Sequence, residues 1–187
     1  MRDSAQAPRR LAAVVVPIFA GAPHDVVFVE RATHLRNHAG QIAFPGGALE
    51  PGDEGDLARA GLRELHEEVG IPPAAADIVG KLNIIHQTRN IFDVTPFVAV
   101  VAAGTPLVVD LNEASAAHRV PLAAILEPGA VHTGIEVVGD RRIDTTVFDY
   151  NGMHVWGLTG HVLAMLVRRY GRAGSPLRTA IDERLEP

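Results

Sequence analysis

This chain of 187 residues contains no cysteine. Disulfides, thiolate zinc sites and cysteine nucleophiles are therefore excluded. It also lacks any apolar run near the ~18 residues of a membrane helix, and none follows the basic residues at its start. Neither a membrane span nor a signal peptide is expected. A basic surplus is missing as well. The formal net charge of −5 speaks against a nucleic-acid partner, which usually demands a basic footprint. The nine histidines are scattered, with no pair at the spacing of a helical metal site, so zinc is not expected. No internal repeat, low-complexity tract or linker is visible, and the C-terminal Arg184-Leu185-Glu186-Pro187 is not a peroxisomal address. The length suits one domain over residues 1–187, with residues 1–10 as a loose arm. The expectation is a cytoplasmic protein, monomer or homodimer, without membrane or nucleic-acid partners.

What the chain does have is enough apolar sequence for a packed core, 47% hydrophobic against 21% charged. Its most informative stretch is Arg63-Glu64-Leu65-His66-Glu67-Glu68-Val69-Gly70-Ile71. On a helix, Glu64, Glu67 and Glu68 stack on one face. Like charges at that spacing repel by a few tenths of a kcal/mol per pair, which makes sense if a hard divalent cation with oxygen ligands sits on them. Taken alone, the cluster is equally an ordinary solvated acidic face. Ala58, Gly61, Leu62, Leu65 and Val69 recur at spacings of three and four on the opposite side, as an amphipathic helix requires. Asp53 and Asp56 suit its N-terminal end. Gly70 and Pro72-Pro73 suit its stop.

Phe44-Pro45-Gly46-Gly47 precedes this helix. Together with Arg63-Glu64-x-x-Glu67-Glu68-x-Gly70-Ile71 it resembles the signature of Nudix hydrolases. That family cleaves nucleoside diphosphates linked to another moiety, using Mg²⁺ or Mn²⁺ on a loop–helix–loop. There is one departure. Gly55 stands where the family has its first Glu, eight residues before Arg63. The loop after Gly47 is about two residues longer, a cheap insertion on a surface. The first acid of the box is then Asp53 or Glu54.

A narrower resemblance lies upstream. The run Val27–Gly47, with Leu35-Arg36, Gly40 and Phe44-Pro45-Gly46-Gly47, is similar to the extra motif of coenzyme A pyrophosphatases. Val94-Thr95-Pro96-Phe97-Val98, Val120-Pro121-Leu122 and Trp156-Gly157-Leu158-Thr159 are also similar to that subgroup, so the resemblance spans roughly Leu11 to Tyr170. It implies a Nudix-type α/β/α sandwich with a mixed β-sheet between helices.

Pattern and turn signals place strands at Leu11–Phe19, Asp25–Arg31, Val79–Ile85, Phe92–Val101 and Leu107–Val109. They also place a hairpin at Ile135–Val138 and Ile143–Tyr150. Further helices are expected from near Pro121 and over Thr159–Tyr170.

The resemblance also implies roles. Glu67 and Glu68 are the first choices as metal ligands. Glu64 is a third ligand or the base that activates water. Arg63 is expected to hold a glutamate in place, Glu67 lying four residues on. Loop carbonyls near Gly47 complete the coordination, and a distant carboxylate is common in the family. Glu113 is the candidate, although a plain surface residue is the simpler reading. Substrate contacts are expected from Arg36, His38, Phe44, Gly46, Gly47 and Arg89. His66 is expected to face solvent, and Trp156 to anchor the core.

The leading activity is divalent-metal-dependent hydrolysis of coenzyme A or its derivatives, giving adenosine 3′,5′-bisphosphate and 4′-phosphopantetheine. The alternatives are a Nudix pyrophosphatase of ADP-ribose or a dinucleotide, and a non-catalytic nucleotide-binding module. The last usually loses its carboxylates, and all three persist here. An isopentenyl diphosphate isomerase is set aside, because its chemistry needs a cysteine.

Overall fold

A computed structural model describes residues 9–35, 38–87 and 91–185. Strands β1 (Arg10–Phe19), β2 (Asp25–Arg31), β3 (Ile42–Ala43), β4 (Gly46–Ala48), β5 (Ala76–Lys81), β6 (Ile85–His86), β7 (Phe92–Val101) and β8 (Ala114–Pro121) form one sheet. β1 and β7 run parallel, from Arg10 beside Phe92 to Phe19 beside Val101. All other pairings in it are antiparallel, so the sheet is mixed. β1 and β7 read as near-continuous apolar runs because both faces of the sheet are covered.

Alternation divides the cover. Val15, Phe19, Val27 and Val29 point to one side and meet Leu65 and Val69 of helix α1 (Leu57–Val69). Val16, Ile18, Val26 and Phe28 point to the other. There they meet Val162, Leu163 and Leu166 of α3 (Gly157–Tyr170) and Leu177 and Ile181 of α4 (Pro176–Leu185). A short α2 (Leu122–Leu126) follows β8. A second sheet, in the order β11-β10-β9, packs on the α3 side. It is built from β9 (Val131–Val138), β10 (Arg141–Tyr150) and β11 (Met153–Val155). The expected α/β sandwich with a mixed sheet between helices is observed.

Helix α1 begins where its sequence dictates. The Asp56 carboxylate accepts from the N–H groups of Ala58 and Arg59, satisfying donors that a first helical turn leaves unpaired. It ends at Gly70, whose φ of 72° is the left-handed conformation that glycine tolerates. A Cβ there would also press on Val108.

That contact explains one correction. Leu107–Val109, expected as a strand, is irregular. Its neighbourhood pairs with the end of α1 instead: Val108 N–H donates to Val69 O (2.9 Å) and Asp110 N–H to Glu68 O (3.1 Å). Other boundaries move. The expected strand at Val79–Ile85 is divided between β5 and β6. Of Arg9 and Arg10, assigned to the loose arm, Arg10 belongs to the sheet and Arg9 is tied to its edge by side-chain bonds. Arg10 opens β1, and Arg9 pairs with Asp93 and donates to the carbonyls of Gln87 and Phe92. No described helix is long and apolar enough to cross a membrane.

Candidate active site

Arg63 organises the region between α1 and β4. Its Nε donates to Asp53 Oδ1 (3.0 Å) and Nη2 to Asp53 Oδ2 (3.2 Å), a two-pronged pair. Nη1 donates to Glu64 Oε1 (2.9 Å) and Glu67 Oε2 (2.8 Å). Nη2 also donates to the carbonyl of Ala48 (3.1 Å). One guanidinium thus ties together the helix, the β4 strand and the 3₁₀ turn Pro51–Asp53. Asp53 is buried, and the Arg63 hydrogen bonds hold its carboxyl below the usual range despite that burial. Its Oδ2 also accepts from Glu50 N–H at 2.8 Å.

Beside this matched pair stands a cluster of like charge. Carboxylate oxygens of Glu64, Glu68 and Glu113 lie within 4.8 Å of one another. Glu68 is only 3% exposed. Burial, then the nearby Glu64 charge, pushes its carboxyl up to about 8. Gly46 N–H, at 3.2 Å, and Arg31, at 3.9 Å, compensate it in part. Burial also raises Glu64.

Glu113 reaches the cluster from the turn before β8. That turn is built by Asp110, whose side chain accepts from Asn112 N–H and whose carbonyl accepts from Glu113 and Ala114. Ala32 N–H fixes it by donating to Glu113 O (3.0 Å). Gly47 completes the cradle, since a Cβ at that position would overlap the Glu64 carboxylate. Three converging carboxylates, one buried against like charge, form an oxygen-only donor set that fits a hard divalent cation.

A cleft of about 500 Å³ opens on the other side of Gly46 and Gly47. This volume lies in the range of small-molecule sites. Arg31, His38 and Phe44 line it from one side, and Val138, Ile143 and Trp156 from the other. Phe44 is held by stacking on Phe28, with ring centroids 4.7 Å apart.

The structure therefore brings together Glu64, Glu68, Arg63, Gly46, Gly47, Phe44 and His38. Glu67 is on the same helix, but exposed and paired with Arg63, outside the three-carboxylate cluster. Glu113, expected to be a plain surface residue, joins the cluster. Trp156, expected as a core anchor, is half-buried in the cleft wall. His66 faces solvent as expected. Arg36 and Arg89 lie outside the described residues. Asp53, left as one of two candidates for the first acid of the box and as a helix-end charge, is the partner of Arg63, and Arg31 was not singled out at all. The pairing of Arg63 with Asp53 spans ten residues, beyond any helical periodicity.

The NUDIX domain family matches residues 8–138. The chain is 36% identical over 166 residues to the uncharacterized Nudix hydrolase NudL of Salmonella paratyphi B, covering 87% of this chain and 84% of that protein. Two solved structures share the fold. The Nudix hydrolase RenU of M. smegmatis superposes with a TM-score of 0.52 at 18% identity, covering 64% of this chain and 74% of that one. An Ap4A hydrolase binary complex from C. elegans superposes with a TM-score of 0.51 at 17% identity, covering 63% and 84%. With a family match over most of its length and a relative above one-third identity, this chain belongs to the Nudix hydrolases.

Proposed function

We propose that this enzyme hydrolyses the pyrophosphate bond of coenzyme A or its derivatives, giving adenosine 3′,5′-bisphosphate and 4′-phosphopantetheine, with Mg²⁺ or Mn²⁺. One juxtaposition carries the reading. Residues 38–47, part of the run that resembles coenzyme A pyrophosphatases, line a cleft that abuts the three-carboxylate cluster across Gly46 and Gly47.

Nudix enzymes generally use divalent metal ions. When bound, such an ion neutralises the diphosphate and polarises the bond under attack. Glu64, Glu68 and Glu113 are the residues that would hold it, with Glu67 a further oxygen donor on the same helix. Glu64, whose proton affinity is raised by burial, suits a second role, taking the proton of the attacking water. Arg63 positions Glu64 and Glu67 through its two Nη1 hydrogen bonds. The apolar wall of Val138, Ile143 and Trp156 suits the uncharged parts of a long substrate. Arg36, His38 and Arg89 are proposed as contacts to its phosphates.

A substrate panel read by product identity tests this. Coenzyme A should be turned over at least tenfold more efficiently than ADP-ribose or a dinucleotide. Arg36→Ala should lower kcat/KM for coenzyme A by about ten- to a hundredfold, the worth of a hydrogen bond to a charged group. Metal dependence should stay unchanged. Faster hydrolysis of ADP-ribose or a dinucleotide would remove the coenzyme A assignment and leave the family assignment standing.

A further inference from the structure

We propose that Arg31 grips the diphosphate itself, at the point where the cleft meets the carboxylate cluster. This rests on reading the chain as a diphosphate hydrolase, and it assigns a substrate-binding residue to that site.

The backbone aims the side chain. Arg31 is the last residue of β2. Its N–H donates to Gln41 O (3.0 Å), and its carbonyl accepts from Gly40 N–H (2.9 Å), closing the base of the loop between them. Against β8, the register shifts between Glu30 and Arg31. Such irregularities re-aim side chains and recur beside active sites. The next residue, Ala32, holds the carbonyl of Glu113. Arg31 is thus built into the same frame as the third carboxylate.

Its guanidinium is under-used. Nη1 stands 3.9 Å from Glu68 Oε1, too far for a hydrogen bond. Nε is buried and has no hydrogen-bond partner among the described residues. Arg63, one element away, has Nε, Nη1 and Nη2 all engaged. A buried unpaired donor is costly, and a guanidinium fork matches phosphate oxygens in shape and charge. Among the described residues lining the cleft, Arg31 is the one Arg or Lys. A polyanion entering this cleft meets that fork next to the carboxylates.

The competing role is a structural one, in which Arg31 merely neutralises Glu68. Two titrations on the full chain separate them. Calorimetry with methylenediphosphonate in Mg²⁺ reads the grip, because the methylene bridge cannot be hydrolysed. Calorimetry with Mg²⁺ alone reads the carboxylates. Arg31→Gln should weaken diphosphonate binding by about ten- to a hundredfold, while Mg²⁺ affinity stays level or tightens as a repelling cation is removed. Arg31→Lys keeps the charge and loses the fork, so its diphosphonate affinity should fall between the two. If Arg31→Gln fails to fold, Arg31→Lys carries the test, with at least a severalfold loss at unchanged Tm. Wild-type diphosphonate affinity in the variants would overturn the proposal alone. So would a loss of Mg²⁺ affinity in step with diphosphonate affinity. A wild type that binds no diphosphonate in Mg²⁺ would overturn the hydrolase reading with it.

Discussion

Asp53 and Glu68 are carboxylates of similarly low exposure, 1% and 3%, Glu68 bonded to Gly46 at the start of β4 and Asp53 to Arg63, which bonds Ala48 at its end. They titrate in opposite directions. Asp53 is held low by a two-pronged hydrogen bond from Arg63. Glu68 is driven up to about 8 by burial and by the Glu64 charge. Burial raises both; at Asp53 the Arg63 hydrogen bonds outweigh it, whereas at Glu68 the Glu64 charge adds to it. A buried charge with its partner built in belongs to the scaffold. A buried charge with like charge beside it belongs to a site that expects something more.

The sharpest way to break this contrast is to neutralise one carboxylate on the site side. Glu68→Gln and Glu67→Gln should each cost at least about a hundredfold in turnover of the pyrophosphate substrate if both are oxygen donors to the cation as proposed, Glu68 from within the carboxylate cluster and Glu67 from the same helix beside it. In chelator, Glu68→Gln should hold or raise Tm, because burial of a charge against Glu64 is relieved. Retained turnover in both variants would remove the metal-ligand roles.

That division of labour was only partly legible in the sequence. Helix α1, with its Asp56 cap, its Gly70 stop and its buried Leu65 and Val69, followed from periodicity and end signals. β1, β2 and β7 followed from apolar runs bounded by turns. These are local patterns, and local patterns survive without tertiary information. β8 was missed because Ala114-Ser115-Ala116-Ala117 has little intrinsic preference for a strand. It is a strand because β2 offers it an edge. α4 was missed too; its apolar anchors Leu177 and Ile181 are meaningful only against the core they fill. The same reason hid half the site. Glu64, Glu67 and Glu68 share a helix and announce themselves. Glu113 arrives through a turn fixed by Ala32, far away in the chain. Asp53 meets Arg63 ten residues on, from the 3₁₀ turn Pro51–Asp53.

The scaffold side breaks differently. Asp53→Asn should lower Tm by about 5–10 °C, as expected when a buried partner is removed from an ion pair in a protein of this size. The pH dependence should separate the two carboxylates. Glu68 binds its proton more tightly when folded, so its contribution is whole below the ordinary 4.5 and is lost as pH rises toward about 8. Asp53 is the reverse. Its contribution is whole above 3.8 and is lost as pH falls below it. Thermal scans in chelator should therefore show Tm declining from about pH 4.5 to 8 in the wild type. Glu68→Gln should flatten that decline, and Asp53→Asn should weaken the acid limb.

The smallest effect sharpens the comparison most finely, because it concerns the residue next door. The lengthened loop leaves two acids, Asp53 and Glu54, as candidates for the first acid of the Nudix box. Glu54 is in the left-handed conformation, with φ of 56°, and points outward. Among the described residues its carboxylate meets Arg59 alone, at 2.8 Å, and both side chains are more than half exposed. Exposed pairs of this kind contribute little and are screened by salt. Glu54→Gln should therefore shift Tm by no more than about 1–2 °C and leave kcat and KM unchanged, whereas Asp53→Asn disturbs Arg63 and, through it, Glu64 and Glu67. If Glu54→Gln instead lowered kcat, the acid that matters would be the exposed one. Asp53 would then be no more than a hinge for the loop.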